Sequence, residues 1–330
     1  ESFFETAKDG PIYIIKSTII PGTTNLLNEK FKNLKIIFSP EFLTERTAKL
    51  DILTQTRIIL GGDFAIKKIK YSEQIIITEP ELTNLDFFNC IQKTANWLES
   101  LGFRPQQPVV IPKLEYPQTE ILLYGIWQLG AVGVLRGNLA KKKLAIHLNN
   151  PAIISNEINL FEEIKIFPNK YNPKYKPNLG EEALITFETG NGIRLSHYNL
   201  LVNANSIQKA INLKSRTKIF CNLDPDTSSW VVFKAILPIY AGCVFDVNKP
   251  NLNFNSHTGD YIIRYDFKNL EKFSRNEIAI CPENTAAISI GKQPLHLTEY
   301  ILNSNNLKIK GHSVMMGYLD NELNKSSFKK

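Results

Sequence analysis

The stretch at residues 180–201, GEEALITFETGNGIRLSHYNLL, constrains the fold of this chain more than any other. It begins with the apolar run Ala183–Ile185, which predicts a buried strand. A turn rich in Thr and Gly follows from Thr186 to Gly192, and the residues from Leu195 to Leu201 predict the entry to a helix. A strand, a glycine-containing loop and a helix in this order favour phosphate binding, because backbone N–H groups and the positive end of a helix attract oxygen anions.

This stretch resembles the nucleotide-binding motif of adenylate-forming enzymes, the family of acyl-CoA and acyl-carrier-protein synthetases. Their phosphate loop reads T-S-G-[ST]-T-G-x-P-K-G, and the V-x-x-S-H-x-N-L segment that follows it resembles LSHYNLL at 195–201. The loop of this chain is shorter, because part of the family pattern is missing between Gly190 and Asn191. Asn191 also replaces the loop lysine, and Glu188 stands where the family has a small hydroxyl residue.

A degenerate phosphate loop follows from this resemblance, made of Thr186, Thr189, Gly190, Asn191 and Gly192. Each departure from the family pattern disfavours the binding of ATP. Missing backbone N–H donors cannot hold phosphate oxygens, the missing lysine removes a positive charge, and the carboxylate of Glu188 repels phosphate. We therefore expect ATP or AMP, with Mg²⁺, to bind weakly at best. An acyl group is the other ligand that the resemblance implies.

The likeness resumes towards the end of the chain. The segment LKIKGHSVMMGYL at 307–319 resembles the family pattern L-x-V-x-G-x-x-V-M-x-G-Y, and Glu283 stands at the glutamate of Y-G-x-T-E, which helps to place Mg²⁺ in active relatives. A single carboxylate is a weak Mg²⁺ site, since this ion also relies on phosphate oxygens. The ribose-binding T-G-D of the family follows the G-Y segment, whereas the sequence TGD at 258–260 precedes it, so we predict Asp260 to be a turn residue.

The first sixty residues carry a different pattern. β-Branched residues predict a strand at Pro11–Ile15, a turn at Pro21–Thr24 begins a helix that runs to about Phe31, and further strands follow at Lys35–Phe38 and Arg57–Leu60. Alternating strands and helices predict a parallel α/β unit.

Three motifs in this part resemble the end of the NAD domain of UDP-glucose and GDP-mannose 6-dehydrogenases. They are KSTIIPGTT at 16–24, PEFLTE at 40–45 and RIILGG at 57–62. No G-x-G-x-x-G precedes them, and the domain that holds that family's catalytic cysteine and lysine has no counterpart. We therefore do not expect NAD to bind.

The dehydrogenase resemblance implies that Thr18, Glu41 and Glu45 lie near the nicotinamide. A carboxylate there would orient or deprotonate water, and a threonine hydroxyl would relay a hydrogen bond. Because the rest of that site is missing, we interpret these three residues as relics that cap helices or lie at the surface.

Together these patterns predict an α/β chain in two parts. A partial Rossmann-like unit at 1–63 is followed by a connector at 64–77, an incomplete adenylate-forming N-domain at 78–322 with mixed, largely parallel sheets flanked by helices, and a short tail at 323–330. The mobile C-terminal lid of the adenylate-forming family, with its catalytic lysine, is expected to be absent.

Charge and cysteine usage exclude several classes of function. The net charge is +7, but the lysines are scattered, and the short clusters at 67–70 and 141–143 accompany no nucleic-acid motif. Four widely spaced cysteines indicate neither a zinc site nor a disulfide framework.

The uncharged run Ile121–Leu135 is shorter than the roughly 20 residues of a membrane span. We expect a cytoplasmic protein without a nucleic-acid partner, and exposed apolar surface would favour oligomers.

Four functions stay open on these grounds. A ligase-like, AMP-binding protein of fatty acid metabolism that has lost part or all of its activity agrees best with the degenerate loop. The alternatives are an active ATP-dependent acyl-CoA or acyl-carrier-protein ligase, a UDP-glucose 6-dehydrogenase-like oxidoreductase, and a non-catalytic scaffold.

Overall fold

The chain divides into two units, Glu1–Ser72 and Glu73–Lys330. The computed structural model describes residues 2–5, 7, 11–15, 23–38, 73–137, 139, 144, 147–148, 151–265, 269–303 and 306–328. Several predictions fall outside these residues, namely those for Thr18, Glu41 and Glu45, the strand at 57–60, and the lysine clusters at 67–70 and 141–143.

The described part of the first unit contains the predicted strand–helix–strand arrangement. Its elements are α1 (Ser2–Glu5), β1 (Ile12–Ile15), α2 (Thr23–Lys30) and β2 (Lys35–Phe38). Strands β1 and β2 pair in parallel, which confirms the predicted α/β class for this part. The Asn28 amide on α2 donates to the Ile36 carbonyl at 2.9 Å and accepts from the Ile36 N–H at 3.1 Å, so it satisfies both backbone groups of one β2 residue.

The described part of the second unit contains two large sheets, a separate hairpin and several helices. The strands are β3 (Ile75–Thr78), β4 (Glu81–Thr83), β5 (Pro108–Val110), β6 (Val132–Leu135), β7 (Ala152–Ile153), β8 (Glu182–Thr186), β9 (Ile193–Ser196), β10 (Lys218–Cys221), β11 (Val244–Phe245), β12 (Leu252–Asn255), β13 (Tyr261–Arg264), β14 (Glu277–Ile280), β15 (Ala287–Ile290), β16 (Gln293–Pro294), β17 (Thr298–Asn303), β18 (Asn306–Gly311) and β19 (Gly317–Tyr318). The α-helices are α3 (Asn84–Ser100), α4 (Gln118–Leu129), α5 (Leu160–Glu163), α6 (His197–Ala210), α7 (Ser228–Trp230), α8 (Leu237–Ala241) and α9 (Asn321–Ser327).

The two sheets are mixed, as predicted. In the larger one the strand order is β16-β15-β14-β13-β12-β10-β11-β3-β4, with parallel pairing from β14 to β3 and antiparallel strands at both edges. In the smaller one the order is β19-β9-β8-β6-β5-β7. Strands β7, β5, β6 and β8 pair in parallel, whereas β9 is antiparallel to both β8 and β19. Strands β17 and β18 form the hairpin.

Helix α4 is buried along most of its length, as its apolar composition predicts. Ile121, Leu122, Leu123 and Ile126 are fully buried, and the helix ends at Gly130 with φ of 85°. Such a left-handed residue terminates a helix with little strain only when it is glycine. Within the described ranges, no helix has both the length and the apolar character of a membrane span.

The alternation of Ile164 and Ile166 in the sequence predicts a strand at Ile164–Ile166, and this prediction is wrong. The Asn159 side chain accepts a hydrogen bond from the Phe161 N–H at 3.1 Å and starts the short helix α5, which ends at Ile164. Ile164 is buried, whereas Ile166 is 88% exposed. Alternating isoleucines suit a strand, but this pair does not share one buried face.

The helical run of residues 228–241 joins α7, a π-helical turn at Val231–Ile236, and α8. The Leu237 N–H donates to the carbonyl of Val232, five residues earlier. Pro238 follows directly, and a proline has no N–H and crowds the carbonyl four residues before it. The wider π-helical turn accommodates this proline inside a buried helix.

Helix α6 uses polar side chains where a buried helix usually has apolar ones. Asn199, Asn203 and Ser206 recur at four- and three-residue spacing and therefore lie on one face. Asn199 Nδ2 donates to the carbonyls of His312 and Val314 at 3.0 and 2.9 Å. Ser206 Oγ donates to another loop carbonyl, that of His296, at 2.8 Å.

Asn203, in the middle of this face, is fully buried. Its Nδ2 donates to the carbonyls of Ala287 at 2.9 Å and Asn284 at 3.3 Å, and its Oδ1 accepts from the Ala287 N–H at 3.1 Å. The Asn203 Oδ1 is thus the acceptor of the buried Ala287 N–H at the start of β15, whereas the Ala287 carbonyl also accepts from Asn284 Nδ2 at 3.0 Å.

We predict that Asn203→Ala lowers the free energy of unfolding by about 1–3 kcal/mol, because it removes the acceptor of the buried Ala287 N–H. Urea denaturation at neutral pH measures the change. Lys209→Ala, at an exposed position of the same helix, is the matched control and should change stability by less than about 0.5 kcal/mol. Equal effects of the two substitutions would contradict the proposed importance of the Asn203 contacts.

Candidate functional site

The predicted phosphate loop is a tight turn between two antiparallel strands. Strand β8 ends at Thr186, which pairs with Ile193 at the start of β9. The Gly190 N–H donates to the Phe187 carbonyl at 2.9 Å, and Gly190 has φ of 87°. This left-handed glycine closes the turn, as a loop of this length requires.

Helix α6 does not direct its positive end at this turn. Strand β9 lies between them, and Ser196, the N-cap of α6, pairs with Glu182 at the opposite end of the hairpin. At roughly 3.3 Å per residue, β9 separates the turn from the helix by about 13 Å. The Ser196 Oγ accepts from the Asn199 N–H at 3.1 Å, and the Asn199 Oδ1 accepts from the Ser196 N–H at 3.0 Å. The prediction that this helix faces the loop is therefore wrong.

The five predicted loop residues take different positions. Thr186 is fully buried at the end of β8, whereas Thr189, Gly190 and Asn191 form the exposed tip. Gly192 is buried, and a Cβ atom there would overlap the side chain of Leu319. Gly192 is thus a packing position.

Glu188 occupies the centre of the site, and it was not among the predicted ligands. Its Oε1 accepts hydrogen bonds from the Ser228 N–H at 2.9 Å, from Ser228 Oγ at 2.7 Å and from Thr186 Oγ1 at 3.2 Å. Ser228 begins the helical run 228–241, so the carboxylate lies where the positive end of that run stabilises an anion. Burial raises the pKa of Glu188, while the bonds from Ser228 and Thr186 oppose this shift.

Glu283 approaches the same region from the turn after β14. Tyr318 Oη donates to its Oε1 at 3.1 Å, and Cys281 Sγ donates to its Oε2 at 3.3 Å. Its negative charge also raises the pKa of Glu188, with a smaller effect than burial. The site therefore combines two acidic side chains.

The acidic groups show only a partial fit to Mg²⁺. Both oxygens of Glu283 and one oxygen of Glu188 already accept hydrogen bonds within the protein. Among the described residues, no group of three or more His, Cys, Asp or Glu side chains is arranged to hold a metal ion. A weak Mg²⁺ site at Glu283 stays a prediction.

Three neighbouring polar residues have structural roles. Thr227 Oγ1 accepts from the Trp230 N–H at 3.2 Å and so caps α7, and Asp224 pairs with Lys113 at 2.8 Å. Asp260 accepts from the Asn253 N–H at 2.8 Å in the turn between β12 and β13, in agreement with its predicted role.

His197, in the segment that resembles the family motif, is a packing residue. Its ring lies against Trp127, with 5.8 Å between ring centroids, and its buried Nε2 has no hydrogen-bond partner among the described residues. Burial lowers the pKa of His197 to about 4, and Glu181 opposes this shift.

No family model matches the chain. Two UDP-glucose 6-dehydrogenases match short segments. The one from Streptococcus pneumoniae is 52% identical over 50 residues, which cover 15% of this chain and 13% of that protein. The one from Campylobacter jejuni is 39% identical over 75 residues, which cover 23% and 19%. The chain thus matches less than a fifth of either dehydrogenase.

Solved structures match most of the chain. The anthranilate CoA ligase AuaEII, in complex with anthranoyl-AMP, has a TM-score of 0.62 at 14% identity and covers 79% of this chain and 70% of its own. The Klebsiella oxytoca NpsA N-terminal subdomain, in complex with anthranilyl-AMSN, has a TM-score of 0.60 at 16% identity and covers 78% and 86%. At these identities the likeness concerns the fold. The predicted composite, a short dehydrogenase-like segment beside an adenylate-forming fold, is confirmed.

The lowered pKa of His197 predicts that the stability of the fold depends on pH. Its pKa is lower in the folded than in the unfolded chain, so between pH 6.5 and about 4 the unfolded chain binds more protons. We therefore expect stability to fall as pH decreases through this window, by up to about 3 kcal/mol from this residue. Urea denaturation at pH 7 and pH 5 measures the difference.

His197→Gln should reduce this pH dependence, whereas His257→Gln, at an exposed histidine, should leave it unchanged. An unchanged slope in His197→Gln would contradict the assignment to His197.

Proposed function

We propose that the second unit is an adenylate-forming type of domain with impaired or lost activation chemistry, which binds an adenine nucleotide or an acyl ligand weakly. Its fold supports this proposal, as do the family-like segments at 195–201 and 307–319. The AMP-linked ligands in the two matched structures indicate the class of molecule to test, an aryl or acyl adenylate.

The proposal of impaired adenylate formation rests on one observation, which is that the loop between β8 and β9 is closed and acidic. Adenylate formation develops negative charge on phosphate oxygens, which positive groups and N–H donors must stabilise. Residues 186–192 contain a glutamate and neither lysine nor arginine. Within the described part of the chain, no Lys or Arg side chain pairs with this loop, and Glu283 adds a second negative charge.

An active acyl-CoA or acyl-carrier-protein ligase is the second candidate. The preserved fold favours it, because solved proteins with this fold include a CoA ligase. A dehydrogenase function has weaker support, since the matched segments cover 13% and 19% of the two dehydrogenases. A non-catalytic scaffold would share the fold but bind neither nucleotide nor acyl group.

We predict that the protein does not catalyse exchange of pyrophosphate into ATP with fatty acids or anthranilate as the carboxylate. The reason is the uncompensated acidic charge at the loop. Radiolabelled pyrophosphate exchange in the presence of Mg²⁺ tests this, with an active CoA ligase as positive control. Carboxylate-dependent exchange well above background would contradict the proposal and favour an active ligase.

Thermal shift separates the remaining functions. A ligand at 100 times its dissociation constant stabilises a protein by about 2.7 kcal/mol, which a melting experiment detects. A small shift with AMP or ATP, and none with NAD or UDP-glucose, is the expected result. A shift with NAD would favour the dehydrogenase alternative, and no shift with any ligand would favour a scaffold.

A further inference from the structure

Three hydrogen-bond donors converge on a single oxygen in the candidate site. They are Thr186 Oγ1 at the end of β8 and the N–H and Oγ of Ser228 at the start of the helical run 228–241. Thr186 and Ser228 are both fully buried. The oxygen is Oε1 of Glu188, which belongs to the protein itself.

These donors would suit an external oxyanion. The first N–H groups of a helix have no partner within that helix, and they carry its partial positive charge. Thr227 caps the Trp230 N–H, which leaves the Ser228 N–H to Glu188. A backbone N–H and two hydroxyl groups around one oxygen are the contacts by which proteins hold phosphate and carboxylate groups.

The position of Glu188 is electrostatically unfavourable in another respect. Its carboxylate is partly removed from water, and the negative charge of Glu283 opposes it. Burial and Glu283 raise the pKa of Glu188, and the hydrogen bonds from Ser228 and Thr186 oppose this rise, because they favour the charged form. The three donors therefore favour a negatively charged oxygen at the place where they meet.

We propose that Glu188 is an internal ligand that blocks an oxyanion subsite formed by Thr186 Oγ1, Ser228 N–H and Ser228 Oγ. Shortening Glu188 opens this subsite to a phosphate or carboxylate group from solution. The inference deepens the proposed function, because it concerns the same loop and explains why this loop does not accept an external anion.

The test compares phosphate binding by the unchanged protein and by Glu188→Ala. Isothermal titration with inorganic phosphate, at constant ionic strength, measures the affinity. We expect Glu188→Ala to bind phosphate at least about tenfold more tightly than the unchanged protein, as expected for gaining one charge-assisted hydrogen bond. A parallel titration with acetate shows whether the subsite prefers phosphate or carboxylate.

Three further variants make the result specific. Glu157→Ala removes the same charge from an exposed position outside the hairpin and should gain no phosphate affinity. Glu188→Gln keeps an acceptor oxygen in the subsite, so the subsite should stay closed and phosphate affinity should not increase. The double variant Glu188→Ala, Ser228→Ala lacks one donor and should lose most of the gain.

Failure to bind phosphate or acetate by a folded Glu188→Ala protein would overturn the subsite. Equal gains in Glu188→Ala and Glu157→Ala would also overturn it, since they would reflect net charge alone. If Glu188→Ala does not fold, Glu188→Ser takes its place and the same criteria apply. Pyrophosphate exchange by the unchanged protein would contradict the proposed function. Phosphate binding by the Glu188 variants tests the oxyanion subsite separately.

Discussion

The polar face of α6 holds together loops that come from distant parts of the second unit. Asn203 binds the backbone at the start of β15, and Asn199 binds the loop between β18 and β19. Helix α6 itself follows β9, a strand of the smaller sheet. Because buried backbone groups are costly without partners, these side chains connect the smaller sheet to loops of the larger sheet and the hairpin.

A buried carboxylate, Glu120, and a half-buried one, Glu188, bind the start of the helical run 228–241. Glu188 accepts from its first N–H, and Glu120 on α4 accepts from Trp230 Nε1 at 3.1 Å. Lys234 Nζ lies 4.0 Å from the same Glu120 oxygen. Burial raises the pKa of both carboxyl groups, and this rise is opposed by Lys234 and Trp230 at Glu120 and by Ser228 at Glu188. Position 188 is therefore important for packing as well as for ligand access.

Local patterns predicted several elements of the fold correctly. The apolar composition of α4, the β-branched strands of the first unit and the helix entry at Ser196 all follow from side chains near in sequence. The strand predicted at Ile164–Ile166 failed, since the Asn159 cap outweighs a short alternating pattern. Strand β9 was also missed, although Ile193 and Leu195, both buried, alternate with Arg194 as strand residues do.

The candidate site was less predictable than the fold. The sequence identified Glu188 as a charge that disfavours phosphate, but Ser228, its main partner, lies forty residues further along the chain. No local pattern indicates a contact over that distance. The effect of Glu283 on the pKa of Glu188 likewise depends on how loops from the two sheets meet.

The sequence by itself determined the α/β class, the composite character of the chain and the loss of positive charge from the loop, because these depend on residue type and on spacing along the chain. Only the tertiary structure decided that α6 faces away from the loop and that the Glu188 carboxylate occupies the donors of Thr186 and Ser228. The physical reason is that hydrogen bonds and electrostatic repulsion depend on distances in space, which are set when strands and helices pack.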